Sequence, residues 1–298
     1  MKQMGVGNRR RVLALLVVFA AVTGRPLKAS GEDELRARVL TEAPKAWAKI
    51  ATWAEHLEMT ASGRTEQGDT HGRTDRHVKV SGGNFLIILT YFEPDGTAGS
   101  EDVFCRNARY SFHLRRRSAK LPWLVQRFGR TPDPDLDRIV DMLGVNHVSQ
   151  PQLGVGPFYF PEVFGQQTFV IKEVKSRRQG TSELVSVSFE NALPNTEKPD
   201  RWLSRGTVTL NPDLAWVIQD YDVHVEFASG TTWHLREESD FTSPAGGVPV
   251  IKSQRGKIQI ADRPETTSTV VVSDQNTRTI PEQEFTLTAF GLPEKMLP

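Results

Sequence analysis

A single cysteine, Cys105, occurs in 298 residues. With no second thiol in the chain it can close no internal disulfide, so stability must come from a packed core. Long apolar runs are missing as well: the run over 12–22 stops at eleven residues, where a helix that crosses a bilayer needs roughly twenty. No His-Glu-x-x-His, Cys-x-x-Cys, Gly-x-Ser-x-Gly or phosphate-loop pattern occurs. The motif signatures of zinc hydrolysis, dithiol redox chemistry, serine acyl transfer and nucleotide binding go with them. No Ser, Gly or Pro tract divides the chain and no fixed period repeats along it, so neither an interdomain linker nor a solenoid is expected.

Acidic residues are absent from the first 29 positions, which hold six basic ones (Lys2, Arg9, Arg10, Arg11, Arg25 and Lys28) around the apolar run. That is the pattern of a secretory signal peptide. Residues 1–29 are expected to be removed on export to a periplasmic or extracellular compartment. Of the 37 Lys and Arg, 31 then remain against 36 Asp and Glu, a net charge of about −5; this balance argues against a nucleic-acid partner. Residues 30–298 are expected to form one domain, long enough to bury about three quarters of the unfolded surface.

Leu35, Val39, Leu40, Trp47, Ile50 and Trp53 share one helical face, which predicts an amphipathic helix over 32–56 with a kink or break at Pro44. Alternating or β-branched segments follow at 57–63, 77–81, 85–92, 101–107 and 110–115. Turn signals such as Ser81-Gly82-Gly83-Asn84 and Glu93-Pro94-Asp95-Gly96 separate them. Connections so short allow only antiparallel neighbours. Over 121–166 the alternation lapses, and a helix is expected from Pro134 with Leu136, Ile139, Val140 and Leu143 on one side. Strands resume at 168–174, 183–189, 202–210, 215–227, 232–238, 249–260, 266–274 and 284–287. The fold class is therefore mainly β (α+β). One antiparallel sheet is expected to have its apolar face covered by the N-terminal helix and the helical or irregular insertion 121–166.

One hairpin can be read further. Tyr221, Val223, Val225 and Phe227 alternate with Asp222, His224 and Glu226, and Trp233 and Leu235 alternate with His234 and Arg236. Keeping the apolar faces together predicts Phe227 opposite Trp233 and Val225 opposite Leu235 across an odd-length loop at Ser229-Gly230. His224 would then face Arg236, and Glu226 would face His234, on the wetter side.

Candidate chemistry is sparse. Asp133, Asp135, Asp137 and Asp141 resemble a calcium loop, but Arg138 stands where the turn needs glycine and Gly144 where the bidentate glutamate belongs. Asp133 reads instead as a helix cap. Seven histidines show no ligand spacing. Glu237, Glu238 and Asp240 read as a solvated charge run, Arg115-Arg116-Arg117 as a soluble strand end, and Cys105 as a small core residue. The aromatics of the insertion, Trp123, Phe128, Phe158, Tyr159, Phe160 and Phe164, are either core beneath a long loop or the lining of an apolar ligand site under a lid.

The order of signal peptide, helix, meander, helical interruption and longer hairpins resembles the LolA/LolB-like superfamily of periplasmic lipoprotein carriers. The strand-turn-strand string Leu210-Asn211-Pro212-Asp213-Leu214-Ala215-Trp216-Val217-Ile218 is similar to theirs. The tail Glu284-Phe285-Thr286-Leu287-Thr288-Ala289-Phe290-Gly291-Leu292-Pro293 looks like endings of uncharacterised exported bacterial members. The resemblance implies a single curved sheet forming an unclosed β-barrel with helices over its mouth. It also implies an exported, non-enzymatic protein that takes up a lipid acyl chain, a lipoprotein or another hydrophobic ligand, with no cofactor and at most transient membrane contact. It transfers no site residue. The alternative is an envelope protein-interaction or sensing module whose interior is filled by its own aromatics.

Overall fold

The computed structural model describes residues 31–131, 133, 134, 136, 150–193, 200–245 and 247–294. The expected signal peptide, and Ile139, Val140 and Leu143 of the expected mid-chain helix, lie outside the described residues. Helix α1 (Gly31–Trp53) opens with Glu32, Asp33 and Glu34, whose charges complement its N-terminal dipole. Val39, Ala43, Trp47 and Ile50 form its buried stripe. Pro44 sits inside the helix without ending it. It lies on the exposed side, where the carbonyl it leaves without a partner can be hydrated.

Six strands follow: β1 (His56–Gln67), β2 (Thr70–Ser81), β3 (Asn84–Phe92), β4 (Ala98–Arg106), β5 (Tyr110–Arg116) and β6 (Leu124–Arg130). The small hairpin β7 (Gly154–Val155) and β8 (Phe158–Tyr159) leads into α2 (Phe160–Phe164). Seven more strands complete the chain: β9 (Phe169–Gln179), β10 (Ser182–Asn191), β11 (Arg201–Asn211), β12 (Val217–Phe227), β13 (Thr232–Ala245), β14 (Val248–Ile260) and β15 (Thr266–Thr277). Thirteen of them make one sheet in the order β6-β5-β4-β3-β2-β1-β15-β14-β13-β12-β11-β10-β9. All its pairings are antiparallel. The curved sheet stays unclosed, with β6 and β9 as its edges.

Two segments differ from the sequence reading. Residues 124–130, expected within the irregular insertion, add to the sheet beside β5. As an edge strand β6 buries no residue fully and leaves Leu124 and Val125 exposed, so it has no alternation to read. The expected strand 284–287 is a pair of 3-10 turns, Glu282–Phe285 and Leu287–Phe290. Thr286 is extended between them, which brings Phe285 and Leu287 down together and mimics strand periodicity.

The two faces of β3 separate the cores. Phe85, Ile87 and Leu89 join Leu57, Met59, Val78, Phe104 and Leu136 on one side. Leu86 turns to the other with Cys105, Tyr110, Phe112 and Leu114, where the tail covers it with Ile280, Phe285 and Leu287. Cys105 is thus a buried core residue, and burial pushes its thiol pKa well up. Asp133 makes the bond expected of a helix cap: its carboxylate accepts the Leu136 N–H at 3.3 Å and is held by Arg127 at 2.7 and 2.8 Å.

The β12–β13 hairpin keeps its predicted faces and odd loop, but its register is displaced by two residues. Val225 pairs with Trp233, Val223 with Leu235 and His224 with His234. Phe227 N–H donates to the Thr231 carbonyl at 2.9 Å, closing a three-residue turn with Gly230 at φ +83°. The tightest odd loop wins, and a shift of two leaves every side chain on its own face. Phe227 and Trp233 still touch diagonally, with ring centroids 4.6 Å apart.

Candidate ligand-binding site

The concave face is covered unevenly. Over β9–β13, α1 lays Val39, Ala43, Trp47 and Ile50 against Val185, Leu203, Val223 and Val225 in one continuous core with Phe160 and Val163 of α2. Trp47 meets Phe160 and Phe164 edge-on at 5.8 and 5.2 Å. Its Nε1 donates to the Trp216 carbonyl at 2.8 Å, in the turn where Ala215 and Trp216 both adopt left-handed φ values of 56° and 60°. Arg38 ties the same helix to Glu183 at 2.7 Å, and Gln152, fully buried, donates to the Pro249 carbonyl at 2.9 Å.

Beside this plug the inner face of β1, β2 and β12–β15 stays open. A cavity of about 300 Å³ is floored by Met59, Ala61, Ile258, Val270 and Val272 and bordered by Pro151, Gly154 and Gly156 of the cover. A second, of about 280 Å³, adjoins it and shares Arg76, Gly156, Tyr221, Glu237, Ile258 and Ser268. Gly156 is required here: it has φ +53°, and a Cβ would lie 2.4 Å from Leu235 Cδ1.

Where the two cavities meet, polar groups converge. The Tyr221 hydroxyl accepts the Gly156 N–H at 3.0 Å and hydrogen-bonds Glu237. Gln254 Nε2 donates to Glu237 Oε1 at 2.9 Å. Burial pushes the Glu237 carboxyl up to about 7, against the opposing pull of Tyr221 and Arg76. It raises the Tyr221 hydroxyl well above its ordinary range and lowers the Arg76 guanidinium. Arg76 and Glu237 each retain some accessible surface, because the cavities they line reach them deep inside the protein.

The six aromatics singled out by sequence do not meet in one place. Phe158, Tyr159, Phe160 and Phe164 belong to the plug, where Phe160 is fully buried against Phe169 and Phe189. Trp123 and Phe128 pack on the opposite face of the sheet with the tail, Trp123 against Phe290 at 5.6 Å. Of the cavity residues, the sequence puts Tyr221 on the apolar side of its hairpin and Glu237 in a solvated charge run, which its place in the cavity corrects, and it does not single out Arg76. Strand parity carries the signal, since Glu237 is two residues from inward Leu235 and Arg76 two from inward Val78. On the outer face Asp222, His224 and His234 bring donor atoms within 4.8 Å of one another. The His rings stack at 4.6 Å, and Asp222 is 2.6 Å from His234 Nε2.

No family model matches the chain, and none of the curated proteins matches it. Solved structures do. A LolA superfamily protein from Nitrosomonas europaea is 11% identical with a TM-score of 0.43, over 82% of this chain and 98% of that one. A DUF1329 family protein from Desulfovibrio piger is 7% identical with a TM-score of 0.45, over 86% and 98%. An outer membrane lipoprotein-sorting protein domain from Vibrio parahaemolyticus is 9% identical with a TM-score of 0.43, over 83% and 97%. At these identities the likeness concerns chain path alone.

Proposed function

We propose that residues 30–298 act as one exported, non-enzymatic binding unit that takes up the apolar part of a lipid-like or lipoprotein ligand in the cavity beside the plug. The observation that carries this reading is the apolar floor of Met59, Ala61, Ile258, Val270 and Val272, left open on a concave face that is elsewhere filled. At about 25 cal/mol per Å² of apolar surface, covering a few hundred Å² of ligand yields several kcal/mol before the costs of association. The aromatics of 158–164 then serve as the fixed roof beside the ligand. Export is supported by the basic, acid-free start and apolar run of residues 1–29. An interaction module with a self-filled interior is favoured less, because the aromatics fill only the half under α1.

Native mass spectrometry of protein purified from the exported fraction is expected to show a co-purified lipid-like species. An apolar dye should bind the wild type and be lost from Val270→Trp, which fills the cavity, with little change in Tm. Equal dye binding by a folded Val270→Trp variant would refute the cavity as the binding place.

A further inference from the structure

The polar groups at the cavity junction differ in what they still need. Glu237 accepts from Gln254 and hydrogen-bonds Tyr221, whose oxygen accepts from Gly156. That set is closed. Arg76, by contrast, makes no hydrogen bond or ion pair among the described residues, and Tyr91 and Glu237 act on it only through space. A guanidinium this deep brings five N–H donors and a full charge that protein groups leave unanswered, a costly arrangement unless something else supplies the acceptors. Arg76 lines both cavities, so that supplier can come from the open space.

Arg76 is also the inward cation of the lining. Arg236 and Lys257 pair with each other on the outward parity between inward Leu235, Glu237 and Ile258 and are engaged by Glu265 at 2.7 and 2.9 Å, while Arg64, next to inward Gly63, is exposed. Arg76 pairs with inward Ala61 and lines both cavities beside Glu237. A cationic head would meet repulsion from Arg76, and a neutral one would leave the guanidinium unanswered. A carboxylate or phosphate can receive its forked N–H groups in pairs. A volume of about 300 Å³ is at the lower end of small-ligand pockets, suited to one chain rather than two.

Building on the carrier reading above, we infer that the ligand is an anionic, single-chain amphiphile, its carboxylate or phosphate head seated on Arg76 and its chain laid along Met59, Ala61, Val270 and Val272.

Dodecanoate, dodecyl phosphate and 1-dodecanol, titrated into the signal-free protein against an apolar dye, test this. The wild type should bind at least one of the two anions about tenfold or more tighter than the alcohol, the size of one charge-assisted hydrogen bond. Whichever anion binds tighter identifies the head group, and either supports the inference. Arg76→Met should bring anion and alcohol to within about twofold of each other, leave alcohol binding unchanged and raise or preserve Tm, since it removes a desolvated charge. Should Arg76→Met not fold, Arg76→Lys keeps the charge without the fork and should retain a reduced preference. Equal binding of all three probes by the wild type would overturn the head-group assignment and leave the carrier reading standing. An anion preference undiminished in a folded Arg76→Met or Arg76→Lys variant would do the same. Failure to bind any of the three would defeat both.

Discussion

Glu237 and Glu238 are adjacent in sequence and end on opposite sides of β13, one in the cavity and one exposed. A charge run in a strand is two populations, and only the parity set by Leu235 tells which member is inside. The consequence is measurable. With a folded-state pKa of about 7 against an ordinary 4.5, Glu237 takes up a proton more readily in the folded chain. Its contribution to stability is complete below about pH 4.5 and is lost as pH rises through 7. Glu237→Gln does not titrate, so its Tm relative to wild type should climb between pH 4.5 and 7.5, by an equivalent of about 3 kcal/mol at most. A difference that stays flat across that range would mean that the carboxyl ionises unhindered. Arg76 was missed for the same reason that Glu237 was read as solvated: charge types are read as surface, and an inward guanidinium shows only in the pairing of β1, β2 and β3.

Among the elements, α1 and α2 behave as one plug. Their joint is Phe160, fully buried between Trp47, Phe169 and Phe189. Phe160→Ala should cost about 3 to 5 kcal/mol in denaturant unfolding, whereas the half-buried Phe158 should cost clearly less. Equal losses would contradict a fixed joint at Phe160. Trp47→Phe keeps most of the packing and deletes the bond to the Trp216 carbonyl. It should cost about 1 kcal/mol, with the loss read by chemical denaturation. The helix was legible because its apolar stripe repeats at helical spacing. The β12–β13 faces were legible because their alternation is strict, while their register was not, since a shift of two leaves that alternation unchanged. β6 escaped notice because an exposed edge strand has no face to alternate.

At the scale of the whole molecule, the antiparallel meander followed from the short turns between strands. The role of the tail did not, because nothing in its own pattern says which face it covers. Phe285 lies over Cys105, and its carbonyl accepts from Cys105 Sγ at 3.3 Å and from Asn107 Nδ2 at 2.8 Å. Cys105 should therefore resist a thiol reagent in the native protein and become reactive in a chain cut after residue 280, at a rate far above that of the full chain. Equal slow labelling of both would show that the sheet alone shields the thiol.

The pairing of β1 with β15 also sets a clock. Every other contact between neighbouring strands of the sheet joins consecutive segments and can form soon after its hairpin emerges. This junction joins the first strand to the last, with some two hundred residues between them, and the cavity lies astride it: Met59 and Ala61 come from one side, Val270 and Val272 from the other. A chain whose β15 has not yet paired with β1 consequently holds two separate runs of strands and no cavity. Capture of a ligand has to wait for the final strand to dock, so the polypeptide stays empty until it is whole.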